Sequence, residues 1–293
     1  MHEEPILQVK GLKKYFPVGG GLFRRPNAFV RALDGVSFSV PSGKTLGLVG
    51  ESGCGKTTVG RCAVRLEKPT AGAVIFDGRD LSRLDNCAFK AVRRNLQLIF
   101  QDPFSSLDPR MTAADIIGEN FIIHGLGTSA ERREWVREIM NMVGLRPDQA
   151  MRYPHEFSGG QRQRLCIARA IALRPRMIVA DEPVSALDVS IQAQILNLLV
   201  ELQDNLGLTY LFISHDLSIV RHMCDEVAVM YLGRIVELAS STDLFRFQVH
   251  PYTRTLMDAV PESMPGKQHG WATITGDVPS PLHPPSGCAF HPR

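Results

Sequence analysis

The sequence predicts an α/β fold organised around a parallel sheet, and three observations carry that expectation. Short, fully apolar runs, TLGLVG at 45–50 and MIVADE at 177–182, read as strands covered on both faces. Stretches with apolar residues at helical spacing alternate with them. A glycine-rich turn from Gly50 to Thr58 joins the first run to a helix. With 293 residues there is room for one large α/β domain or two smaller ones. The 44% hydrophobic and 22% charged content suits a chain that buries a core and excludes overall disorder. A formal net charge of +3 is too weak a bias to imply a nucleic-acid partner. The opening MHEEPILQVK lacks the basic-then-apolar order of a secretory leader. Its longest apolar stretches, such as LTYLFI, fall short of the roughly 20 residues that span a bilayer, so no membrane crossing is expected.

Taken in order, ILQVK (6–10) and DGVSFSVP (34–41) alternate like half-buried strands. Between them KYFPVGGGLFRRPN reads as a Gly- and Pro-rich loop too irregular to pair. After the strand TLGLVG and its glycine turn, Val59, Cys62, Ala63 and Leu66 recur at helical spacing, with Arg61 and Arg65 on the other face. AVIFDG and LQLIFQD (96–102) read as further strands. From about 110 to 150 the pattern turns helical and forms an insert. There Thr128-Ser-Ala-Glu131 fits a capping box, and Trp135, Ile139, Met142 and Val143 form one apolar face. QRQRLCIARAIAL (161–173) is a helix stopped at Arg174-Pro175. Ile191, Ile195, Leu198, Leu199 and Leu202 mark a long amphipathic helix that Gly207 closes. LTYLFISHD and EVAVMYLGRIVEL add strands. From 261 onward the Pro-rich chain reads as an extended tail rather than a packed element. The cysteines, Cys54, Cys62, Cys87, Cys166, Cys224 and Cys288, are scattered, which points to isolated reduced thiols rather than a zinc site or a disulfide framework.

Chemistry concentrates in three places. Gly50-Glu51-Ser52-Gly53-Cys54-Gly55-Lys56-Thr57-Thr58 fits G-x-x-x-x-G-K-[ST] between a strand and a helix, the context that pattern needs. Glycines let successive N–H groups turn inward, and the helix behind them adds the positive end of its dipole. Lys56 supplies a full charge for β- and γ-phosphates, and the Thr57 hydroxyl can ligate Mg²⁺. The segment therefore binds a nucleotide. Asp181, ending a buried strand, is placed to hold Mg²⁺, and Glu182 beside it can polarise a water. Ser158-Gly159-Gly160-Gln161 opens a helix and makes a second anion site, or else a plain serine N-cap. Two phosphate-type sites with one P-loop leave two options. Either the second binds a separate anion, or it closes over a nucleotide held by another copy of the fold.

With FSGGQ at 157–161 placed between the P-loop and the acidic strand, the chain resembles the ATP-binding cassette (ABC) ATPases. The resemblance covers residues 5–260 and further motifs fall in order: Gln101 as the Q-loop, Ser185-Ala-Leu-Asp188 as the D-loop and His215 as the switch histidine. Phe16 takes the place of the aromatic residue that stacks on adenine, with Tyr15 the less favoured candidate. FQDPFSSLDPR, RYPHEFSGGQRQR, ADEPVSALDVS, HPYTRTL and PSPLHPPSGCAFHPR are similar to the dipeptide and oligopeptide importer ATPases, and more to the second (F-type) subunit than the first. Some relatives carry a cysteine group for an iron–sulfur cluster in this tail. Cys288 is alone here, and a cluster takes four thiolates, so none is expected in this chain.

What the resemblance implies is a P-loop NTPase of ABC type with a RecA-like core, an antiparallel β subdomain, a helical subdomain at about 103–160 and a Pro-rich extension at 261–293. It implies ATP and Mg²⁺ as ligands. Gly50, Ser52, Gly53, Cys54, Gly55, Lys56, Thr57 and Thr58 would cradle the phosphates, and Thr57, Gln101 and Asp181 would face the metal. Glu182 would be the general base and His215 would contact the γ-phosphate. Ser158, Gly159, Gly160, Gln161 and Asp188 would act on ATP held by a second cassette, solving the two-site question. The implied partners are a second ATPase subunit, two permeases in a bacterial inner membrane with this chain on the cytoplasmic face, and indirectly a solute-binding protein. Phe104, Leu107 and Met111 would be permease contacts or plain core. Cargoes beyond peptides within the same family are nickel complexes, opines and glutathione. A P-loop kinase would leave FSGGQ, the D-loop and His215 without a role, and a non-transport ABC protein usually has two cassettes or a coiled coil.

Overall fold

Residues 4–19, 27–258 and 278–293 are described by a computed structural model. The chain begins with strands β1 (Leu7–Val18), β2 (Ala28–Val40) and β3 (Thr45–Val49), then helix α1 (Lys56–Ala63) and strands β4 (Ala71–Phe76) and β5 (Arg79–Asp80). It continues through α2 (Asn86–Arg93), β6 (Leu96–Ile99), α3 (Pro103–Ser106), α4 (Ala113–Ile123), α5 (Ser129–Met142) and α6 (Gly159–Ile171). Then come β7 (Met177–Asp181), α7 (Val189–Leu206), β8 (Thr209–Ile213), α8 (Leu217–Met223), β9 (Glu226–Tyr231) and β10 (Arg234–Ser240). Helices α9 (Ser241–Arg246) and α10 (Pro251–Asp258) follow. Two compact units form, Met1–Leu84 with Leu211–Arg293 and Asp85–Tyr210. Among the described residues no helix is long and apolar enough to cross a membrane.

In the first unit β2, β1, β4 and β5 make an antiparallel sheet in that order. Of the segment expected to be an unpaired loop, residues 14–18 are strand: Tyr15 opposes Arg31, Phe16 opposes Val30 and Val18 opposes Ala28. Pro17 is tolerated because the β4 pairing ends at Lys13–Ala71, so no ladder bond is asked of its missing N–H on that side. The tip at 20–26 lies outside the described residues. β3 is buried along its whole length and pairs in parallel with β9, and β10 returns antiparallel beside β9.

Val59, Cys62 and Ala63 of α1 are buried as their spacing predicts, but Leu66 is 52% exposed. The helix stops at Ala63 and Arg65 turns left-handed (φ 55°), which swings Leu66 off the core face. The tail expectation also needs correction. Although 261–277 lie outside the described residues, 278–293 are packed: Phe290 meets Tyr231 edge-on at 5.5 Å, and Arg31 N–H donates to Pro281 O. The segment's residues are all half-buried or exposed, so these individual contacts hold it rather than a buried apolar face.

In the second unit β6 and β7 pair in parallel, and α4, α5 and α6 pack on one another. The Thr128–Glu131 capping box forms as expected. The buried face of α5 is Val136, Ile139 and Met140 with Val143 after it; Met142 points outward. Trp135 is half-buried against Phe121, centroids 5.1 Å apart. Ile139 and Val143 are thus buried as the spacing predicts, Trp135 is only half-buried, and Met142 lies off the buried face, which takes Val136 and Met140 instead. Gly207 closes α7 in the left-handed conformation (φ 64°), with Leu208 N–H donating to Gln203 O.

Candidate nucleotide-binding and hydrolysis site

The phosphate loop lies between β3 and α1, entirely within the first unit. Its three glycines all have positive φ: Gly50 at 151°, Gly53 at 78° and Gly55 at 108°. At Gly53 the requirement is conformational only, since an added Cβ would meet nothing. At Gly50 and Gly55 a Cβ would run into the carbonyl oxygens of Met230 and Ala32, so neighbouring strands close the loop from behind. Gly55 sits at the N-cap of α1 without a side chain to cap the first turn. The helix's positive end is thus left to a ligand.

Lys56 is 5% exposed and its ammonium donates to Gly50 O at 2.7 Å and Glu51 O at 3.0 Å. It spans the loop that a phosphate chain would fill. Cys54 is buried with Sγ 3.8 Å from that ammonium. Burial pushes its thiol up, only partly offset by Lys56. Ser52 is exposed, and Thr57 and Thr58 are half-buried in the first turn of α1.

Phe16 is half-buried on β1 with the Lys14 ammonium 4.8 Å from its ring centroid. Tyr15 is occupied elsewhere: its hydroxyl donates to Asp34 Oδ1 at 2.6 Å, and Arg234 donates to Asp34 Oδ2 at 2.7 Å. The Tyr15 and Arg234 hydrogen bonds hold the Asp34 carboxyl below the usual carboxylate range. His215 is exposed just beyond β8, where Asp216 caps α8 and Ser214 Oγ accepts the Asp216 N–H.

The second unit carries the acidic half. Asp181 ends β7 and is 6% exposed. Glu182 follows in a left-handed conformation (φ 45°), a strained geometry for a non-glycine residue and a mark of functional sites. Gln101 Nε2 donates to Glu182 Oε2 at 2.9 Å, joining two residues 81 positions apart. Because a carboxylate accepts only from the amide nitrogen, this bond leaves the Gln101 oxygen as its outward ligand atom.

Ser158 caps α6: its Oγ accepts the Gln161 N–H, and Gln161 Oε1 accepts the Ser158 N–H. The plain N-cap is real, but that bond uses the hydroxyl as an acceptor and leaves its hydrogen to donate. Gly159 and Gly160 supply first-turn amides. A Cβ on Gly160 would meet Ile191 Cγ2 at 2.6 Å, so α7 also demands glycine there. Asp188 is the exposed N-cap of α7 and makes no side-chain cap bond.

Each unit thus brings its own candidates together, the P-loop residues in one and Gln101 with Glu182 in the other. Phe16 lies within β1, His215 in the link between β8 and α8, and Asp188 at the N-cap of α7. Met230, Tyr252 and Arg293, which touch the loop from outside its motif, were missed; only long-range packing reveals them.

A family model described as ABC transporter matches residues 33–185. The chain belongs to the ABC transporter ATPases. A second model, described as the C-terminal region of oligopeptide/dipeptide transporters, matches 236–293. The chain is 54% identical over 295 residues to the oligopeptide transport ATP-binding protein AppF of Bacillus subtilis (strain 168), covering 100% of this chain and 90% of that protein. It is 49% identical over 291 residues to the dipeptide transport ATP-binding protein DppF of Escherichia coli (strain K12), covering 99% and 87%. Among solved structures it is similar to the dimeric post-hydrolysis ATP-binding cassette MJ0796 bound to ADP and Pi, with TM-score 0.71 and 29% identity over 80% of this chain and 98% of that one. The α/β fold is accordingly that of an ABC cassette, and the chain is an ATPase.

Proposed function

We propose that this ABC ATPase powers an importer of dipeptides or oligopeptides, working beside a second ATPase subunit and two membrane permeases at the cytoplasmic face of the inner membrane. The observation that carries the peptide cargo is the similarity along the whole chain to peptide-transport ATP-binding proteins, including the C-terminal region at 236–293. Nickel complexes, opines and glutathione remain the alternative cargoes of the same machinery.

In this reading the loop amides and Lys56 bind the triphosphate, and the ammonium exchanges its carbonyl partners for phosphate oxygens. Phe16 stacks on adenine, the choice favoured by the tethering of Tyr15 to Asp34. The donors Thr57, Asp181 and the Gln101 oxygen are hard oxygen ligands that fit Mg²⁺, which when bound offsets the phosphate charge. Glu182 takes a proton from the attacking water, held in place by its bond from Gln101. His215 faces the γ-phosphate. Ser158 Oγ–H and the Gly160 amide close over ATP on a second cassette, whose own signature closes over this one. ATP then favours the closed pair because those contacts exist only there.

The test is purification of the tagged chain from solubilised membranes with its companions, followed by peptide uptake in cells lacking or carrying it. Recovery with two permeases and a second ATPase, and peptide uptake that depends on the chain, supports the reading. Recovery alone, with unchanged peptide uptake in its absence, contradicts it.

A further inference from the structure

We infer that Arg293 and the segment 278–293 are a positioning device for the phosphate loop, acting through Glu51. This rests on the nucleotide-binding reading above and adds residues that no P-loop pattern contains.

Glu51 is the second residue of the loop, and each of its polar groups is held. Its N–H donates to the Tyr252 hydroxyl at 2.9 Å, and its carbonyl accepts from Lys56 at 3.0 Å. Its carboxylate accepts from Arg293 Nη1, 2.9 Å from Oε2 and 3.3 Å from Oε1. The Arg293 side chain is only 8% exposed and that of Glu51 24%. An arginine buried this far is stable only if paired, so the segment is seated where Glu51 waits for it.

The aromatic packing explains the seating. Phe290, three residues before Arg293, lies 5.4 Å from the Tyr252 ring and 5.5 Å from Tyr231, and these two tyrosines are 4.5 Å apart. Tyr252 is itself fully buried, and its N–H donates to His250 Nδ1. One cluster therefore orients the hydroxyl that holds the Glu51 amide and carries the guanidinium that holds its carboxylate. Arg31 N–H to Pro281 O ties the other end of the segment to β2. Glu51 presents its carbonyl to Lys56, so freeing its side chain loosens the frame on which the phosphate-binding ammonium is poised.

The proposal is tested on the full chain with Arg293→Ala, Arg293→Lys and Glu51→Gln, reading KM for ATP, kcat at saturating ATP, and the melting temperature without nucleotide. Arg293→Ala should raise KM several-fold, with kcat within about twofold of the parent. A single nitrogen makes both contacts, so Arg293→Lys should recover most of the loss. Glu51→Gln should raise KM similarly, and the Glu51→Gln/Arg293→Ala double variant should be no worse than either single change. An unchanged KM in Arg293→Ala overturns the inference, as does a lysine variant no better than alanine. If the parent chain itself binds no ATP, the functional reading fails instead. A lower melting temperature in Arg293→Ala with unaltered KM would make the contact structural only and also overturn it.

Discussion

Replacing Lys56 with methionine keeps the buried stem and removes the ammonium, which makes it a sharp probe of what the lysine contributes to the loop itself. Within the loop that ammonium donates to two carbonyls, Gly50 O at 2.7 Å in a buried setting and Glu51 O at 3.0 Å in a partly buried one. A hydrogen bond to a charged group contributes about 1.5–3 kcal/mol, and a buried carbonyl left unmatched costs a comparable amount. Counting the buried bond fully and the second at half weight gives a loss of about 2–4 kcal/mol. For a chain of this size that lowers the melting temperature by on the order of 5–15 °C. The assay is thermal unfolding with and without MgATP. The parent should gain about 2.7 kcal/mol of stability at a ligand concentration of roughly 100 Kd, and the variant should gain almost none. An unchanged melting temperature without nucleotide would contradict a framing role for the ammonium, because the lysine would then serve phosphate alone.

Other consequences are equally direct. Glu182→Gln preserves an acceptor for Gln101 and removes the proposed base, so kcat should fall by about 10²–10⁴ while ATP binding persists; near-parental turnover contradicts that proposal. Gly53→Ala should cost about 1–2 kcal/mol from its backbone alone, whereas Gly55→Ala adds a collision with Ala32 O and should cost about 2–5 kcal/mol in urea unfolding; equal losses would mean that the close approach is not there. Asp34→Ala removes the Tyr15 bond and should destabilise by about 1–2 kcal/mol at pH 7, the half-exposed Arg234 adding little. Asp34 has a folded-state value below its unfolded one, so its contribution is complete above about pH 5 and fades as pH falls through the depressed value. The gap between parent and variant should narrow in that acidic window; a gap that widens there reverses the sign.

Much of the site was legible because its chemistry is local. A glycine arch between an apolar strand and a helix, or a carboxylate pair ending a buried strand, is written in consecutive residues. The capping boxes at Thr128 and Ser158 were equally readable, since each spans a single turn. What escaped depends on distance along the chain. Glycines and Pro17 hid the far half of the β1–β2 hairpin, which is held by cross-strand pairing rather than by propensity. Burial on α5 followed its packing partners, and this moved the apolar face off Met142. The prolines after 278 suggested solvent, yet Phe290 and Arg293 find partners more than 35 and 240 residues earlier. The left-handed Glu182 and its bond to Gln101 leave no trace in composition or period, because backbone strain is imposed by the fold around it.

We propose that one ATP is held by this chain's phosphate loop and capped by another cassette's signature serine. The most direct measurement of this is the nucleotide and cassette stoichiometry of Glu182→Gln complexes isolated from solubilised membranes in MgATP. The expected result is paired cassettes retaining intact ATP, lost when Ser158 and its counterpart are both changed to bulky residues. Nucleotide held equally well by separated single cassettes would contradict it.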